Sequence, residues 1–215
     1  MYIVGADLAG PAGAKNTGVA VFSVRKECRA FVESECTGSD ESLLELVKYL
    51  ALERPVVVGL DAPLSYEPGG GQRRSDKELR RQLVARGMHP GSVMAPTAPR
   101  MVYLTLRGIA VARALGGCAS ADSVRVVEVH PGATLCFRDA RIEAIRGFAE
   151  DHNARAELLE WMKGNFAADI APPSPCSSHF VAACAAGWAA YDWAMGRSRW
   201  HFQADPPWHP YEFSC

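Results

Sequence analysis

A chain of 215 residues that is 48% hydrophobic and 22% charged can bury a substantial core, which excludes a disordered or fibrous protein. A net charge of −1 excludes a surface that is basic throughout, and no run of about 18 apolar residues is present to cross a membrane. Seven cysteines, odd in number and without a C-x-x-C pair, fit neither a disulfide framework nor a zinc site and point to a reducing cytoplasm.

The first apolar run starts at Tyr2 and ends in Asp7, followed by a Gly/Pro loop that contains Lys15. That loop is not a Walker phosphate cradle. Lys15 follows Ala14 instead of glycine, no Ser or Thr comes next, and Gly18–Val24 reads as a strand where a helix is required. The segment therefore predicts a hairpin that displays Asp7, with the alternative that Asp7 only caps its own turn. Arg29–Cys36 alternates as a third antiparallel strand. Ser39 then caps an amphipathic helix that stops at Glu53-Arg54-Pro55. Val56–Asp61 is a short apolar strand, and it also ends in an aspartate.

Residues from about 67 to 118 read as a helical insertion within one domain spanning 1–215. It begins with a glycine-rich loop and a basic helix capped at Ser75, and it ends with a helix from about Met101 to Leu115. Arg73, Arg74, Lys77 and Arg80 belong to a local positive patch, with Arg73, Lys77, Arg80 and Arg81 near one helix face, and predict contact with phosphates, against the plainer reading of a solvated surface. Lys15 and Arg107 are weaker candidates for the same role. Val124–Val129 is the next strand, with Glu128 beside its end and His130-Pro131 after it. His130 reads as a turn residue, or alternatively as a support for Glu128. A polar helical region over Glu143–Phe166 leads to an apolar, buried helix at His179–Met195. The Trp- and Pro-rich tail, from about 197 to 215, is expected to lie over the surface.

This order predicts an α/β fold with a five-stranded mixed sheet flanked by helices, three antiparallel strands followed by two parallel ones. Asp7, Asp61 and Glu128 then stand at or beside the C-terminal ends of strands, where open α/β sheets bind ligands. Three converging carboxylates need a divalent cation such as Mg²⁺ or Mn²⁺, and the chemistry of such sites is in-line phosphoryl transfer between paired metals.

The stretches VGADLAGP…NTGVAVF, VVVGLDAPLSY, GGGQRRSDKELRRQL, VMAPTAPRM and VVEVHPGATL resemble, in order, the predicted RNase H-like nucleases of the DUF429 family. The resemblance runs from Tyr2 to about Trp193. It implies a ribonuclease H-like sheet and a metal-dependent nuclease acting on nucleic acid, with Asp7, Asp61 and Glu128 as catalytic metal ligands. It also implies an acid at the start of the last helix, where this chain has His179. His179 as fourth ligand or base favours Mn²⁺ over Mg²⁺, and a helix N-terminus favours its neutral form, so activity is expected to fall below about pH 6.5. Two other readings compete with the nuclease. One is a degenerate domain that binds without catalysis. The other is a phosphotransferase related to the actin-like ATPases, which would need a second Asp-loop hairpin that the sequence does not contain.

Overall fold

The computed structural model describes residues 1–10, 13, 16–25, 28–35, 39–118 and 123–215. Strands β1 (Tyr2–Asp7), β2 (Gly18–Arg25) and β3 (Cys28–Glu35) form the expected antiparallel meander, and β4 (Val56–Asp61) and β5 (Val124–Val129) run parallel to β1. Cys36, the expected end of the third strand, lies outside the described residues.

The sheet is larger than the five strands predicted. The tail supplies β6 (His201–Phe202) and β7 (Phe213–Ser214), giving the order β3-β2-β1-β4-β5-β7-β6. Instead of covering the surface, the tail inserts Phe213, Ser214 and Cys215 into the core, and the Cys215 side chain is fully buried. Two-residue strands carry no readable alternation, which is why the sequence pattern missed them.

Helices α1 (Asp40–Glu53) and α3 (Val102–Gly117) cover one face of the sheet, where Val4, Val58, Leu60 and Val124 point. The other face, with Ile3, Val57, Val127 and Val129, is covered by α4 (Pro131–Cys136), α5 (Ile142–Gly147), α6 (His152–Asn165) and α7 (Ser178–Ala194). The polar helical region expected over 143–166 consists of two helices, with Asp151 capping the second through Asn153 N–H at 2.8 Å.

The helix α7 sits unusually close to the sheet because the strands beneath it are glycine at the contact. Gly5 and Gly59 face each other in register on β1 and β4. A Cβ on Gly5 would lie 2.0 Å from the Ala183 carbonyl, and one on Gly59 would lie 2.6 Å from the Ala186 carbonyl. The run of alanines and Gly187 along α7 is the matching half of this contact. Between β4 and β5 lie α2 (Arg74–Ala85), a 3-10 turn at Pro90–Ser92, and α3.

Candidate functional site

Two residues beyond the paired glycines, on the same face, come the paired aspartates. Asp7 of β1 is in register with Asp61 of β4, so both carboxylates project from adjacent parallel strand ends toward the start of α7. Ser177 caps that helix by accepting a hydrogen bond from Phe180 N–H at 3.1 Å. His179 is held against the sheet because β2 opens with Gly18, whose Cβ would fall 2.4 Å from the His179 carbonyl. The result is a 2.7 Å contact between His179 Nδ1 and Asp7 Oδ2. Asp7, Asp61, His130, Ser178 and His179 line a cavity of about 340 Å³, closed on its other side by Met88, Ile145 and Phe148.

The electrostatics of this group follow from two carboxylates side by side. Burial, then the negative charges of Asp7 and Glu128, then a hydrogen bond with Asp7, push the Asp61 carboxyl well above the usual carboxylate range. Asp61 and Asp7 thus share a side-chain hydrogen bond, and Asp7 also accepts from His179. The hydrogen bond that His179 Nδ1–H donates to Asp7 raises the imidazole above its ordinary value of 6.5, against the opposing effect of burial and with help from the Asp7 charge. The expectation that the helix terminus keeps this histidine neutral is corrected here. A carboxylate at hydrogen-bond distance outweighs the partial charge of a helix end.

Glu128 lines a smaller cavity of about 180 Å³ together with Asp61 and His130, but it does not share the cavity of Asp7 and His179. It pairs with Leu60, one residue short of the strand end, and by the two-residue alternation it points to the opposite face of the sheet. There it is 4% exposed and meets Arg73, the residue before α2. Glu128 Oε1 accepts from Arg73 Nη2 at 2.5 Å, and Oε2 accepts from Arg73 Nη1 at 2.8 Å and from Leu64 N–H at 2.9 Å. Arg73 spends its remaining guanidinium hydrogens on Asp76 at 3.0 and 2.7 Å and on Ser65 at 3.0 Å. All five are satisfied. Burial alone would lower this guanidinium, and Glu128 and Asp76 more than offset it, so Arg73 is held as a cation. Among the described residues, no group of three or more His, Cys, Asp and Glu is arranged to hold a metal ion.

The predicted phosphate contacts divide in the same way. Arg73 is an internal partner, not a surface cation. Arg107, 9% exposed, binds Asp40 at 2.9 and 2.7 Å and the Ala9 carbonyl, tying α3 to α1 and to the loop after β1. Arg80 bonds to the Val93 carbonyl. Arg74 and Lys77 are exposed on α2, with Arg74 lying over Phe202 at 5.9 Å. Lys15 lies outside the described residues. The basic helix begins two residues earlier than a Ser75 cap implies, with the Asp76 carboxylate, not Ser75, capping it through Arg73 N–H at 2.9 Å.

His130, read as a turn residue or a support for Glu128, caps α4 instead. Its Nδ1 accepts from Ala133 N–H at 3.1 Å, and its Nε2 therefore donates to the Ser92 carbonyl at 2.8 Å. Burial lowers this imidazole below 6.5. Sequence reasoning missed the Arg73–Glu128 pair, although one signal was available. Asp7 and Asp61 are the last residues of their strands and Glu128 the penultimate residue of its own, so its parity differs.

A family model described as "Protein of unknown function (DUF429)" matches residues 5–206. No curated protein matches the chain.

Proposed function

The chain belongs to the DUF429 family, and on that footing we propose that it is a metal-dependent hydrolase of phosphodiester bonds in nucleic acid, built on a ribonuclease H-like sheet and working in a reducing cytoplasm. One observation carries the reading. Asp7 and Asp61 stand in register at neighbouring strand ends beneath His179, and among the described residues no Arg or Lys forms an ion pair with either. Two hard carboxylates that repel each other suit one small divalent cation, Mg²⁺ or Mn²⁺, with Asp7 and Asp61 as its ligands. Mn²⁺ is favoured, because it tolerates a neighbouring imidazole better. When bound, such an ion supplies polarisation of a phosphoryl oxygen.

Glu128 does not fit as a further ligand, because both of its oxygens already accept hydrogen bonds on the other face. The reading therefore uses one cation where the resemblance implies two. His179 gives its Nδ1 to Asp7, which fixes the ring and leaves Nε2 to take a proton from an attacking water. Arg74 and Lys77 on α2 supply contacts to the phosphate backbone.

The test is cleavage of single-stranded and duplex DNA and RNA in the presence of Mn²⁺. Wild-type protein is expected to cleave at least one of these polymers. The His179→Ala variant is expected to lose about 10²-fold or more in rate. The wild-type rate is expected to fall in acid, as His179 takes up a proton and can no longer accept one from water. Mn²⁺ binding without cleavage of any polymer would replace this conclusion by a domain that binds without catalysis.

A further inference from the structure

At the other end of α7, roughly 20 Å along the helix from His179, lies a second cleft of about 570 Å³ that shares no residue with the cavity at Asp7 and Asp61. Four arginines line it: Arg29 from β3, Arg138 after α4, and Arg197 and Arg199 after α7. Only Arg138 is neutralised, by Asp192 at 2.5 Å. Among the described residues Arg29, Arg197 and Arg199 have no carboxylate partner, and Asp139 is the one other acid in the lining. Three unpaired guanidinium groups against one carboxylate leave this cleft strongly positive on a chain whose net charge is −1.

The way the arginines are held is not that of a loose surface. The Arg29 guanidinium lies 5.4 Å from the centre of the Phe166 ring and 5.1 Å from that of Tyr191. Arg197 lies over Tyr191 at 5.2 Å and donates to its hydroxyl at 2.7 Å. Stacking on aromatic rings fixes a guanidinium by its face and leaves the N–H groups on its edge for an acceptor. Arg29 Nε is buried and has no such acceptor. A buried N–H without a partner is uncommon and costs free energy, so the protein does not fully satisfy this guanidinium.

We propose that this cleft is a binding site for a small phosphorylated molecule, with Arg29 and Arg199 donating to the phosphate oxygens. Planar guanidinium forks match phosphate geometry, and the volume lies within the range of small-molecule sites. Trp161 and Trp188, 5.2 Å apart at the wall, offer apolar surface to the organic part of such a ligand.

Calorimetric titration of the full chain with inorganic pyrophosphate tests the proposal. Saturable binding is expected, weakened about ten-fold or more in Arg199→Ser, whose side chain is exposed and whose loss leaves the core intact. The same is expected in Arg29→Gln, with its fold checked by thermal unfolding. Affinity in Asp7→Asn and in the double variant Arg74→Ser, Lys77→Ser should match wild type. A short oligonucleotide without terminal phosphates should fail to displace pyrophosphate, and displacement by it would overturn the small-molecule assignment. Absence of saturable binding, or equal affinity in Arg199→Ser and wild type, would overturn the site itself.

Discussion

The two faces of the sheet handle buried acids in opposite ways at the same strand ends. On the α1/α3 side, Glu128 is enclosed with Arg73 and Asp76, and every guanidinium hydrogen has an acceptor. On the α7 side, Asp7 and Asp61 share a cavity with a histidine and with no arginine or lysine ion pair among the described residues. A carboxylate given its own cation is committed to holding the fold together. A pair left without one is open to an ion or a proton from outside. Placement on one strand or the next does not distinguish these roles, but the partner does.

The largest effect should come from breaking the closed side. Arg73→Met leaves Glu128 and Asp76 buried without a cation and should cost about 3–5 kcal/mol in urea unfolding. Lys77→Met, on the exposed face of the same helix, should stay within about 0.5 kcal/mol. Equal losses would mean that the buried network contributes no more than a surface charge.

Next comes the spacing that creates the open side. Gly5→Ala places a Cβ against the Ala183 carbonyl, and α7 must move to admit it. A loss of up to about 3 kcal/mol is expected, and the His179–Asp7 contact should be lost with it, seen as a shift of the His179 ring resonances in NMR titration.

The open side itself should respond to divalent ions. At about a hundred-fold excess over its Kd, Mn²⁺ should add about 2.7 kcal/mol of stability to wild type and none to Asp61→Asn. Without metal, Asp61→Asn should be as stable as wild type or more so, because it removes a repelled acid. A thermal shift with and without Mn²⁺ reads both halves. Metal stabilisation that survives Asp61→Asn would remove this carboxylate from the ion's ligands.

The smallest effect separates the two histidines of the cavity. His179 has a raised value, so its contribution to metal-free stability is complete below the ordinary value of 6.5 and is lost as pH rises through the folded one. His130 has a lowered value, so the unfolded chain binds its proton first and stability is lost as pH falls below 6.5. Unfolding midpoints between about pH 8 and pH 5 should therefore slope in opposite directions once each is isolated, in His130→Asn and in His179→Asn. Slopes of the same sign would contradict the hydrogen-bond assignments of these two rings.

Much of the fold was legible in the residues. The meander, the two parallel strands and the buried last helix follow from alternation, apolar runs and alanine content, which are local properties. Asp7 and Asp61 were legible as candidates for the same reason, since each ends a strong apolar run, whereas His179 was singled out by its place in the family resemblance. The tail strands were not, because two residues paired to a distant strand leave no period to read. Nor was the role of Glu128, although its parity on β5 marked it as out of phase with the two aspartates. Its separation from them is a matter of side-chain partners, and Arg73 comes to it from 55 residues away in sequence.

By itself, then, the sequence determined which residues could be acidic at the strand ends and which helix could lie flat on the sheet, because backbone preference and hydrophobic period act over a few neighbouring positions. Only the tertiary structure decided which acid is neutralised, which way each histidine titrates, and where arginines gather without carboxylates. Those outcomes depend on charges brought within a few ångströms in a medium of low dielectric, where proximity in space outweighs order along the chain.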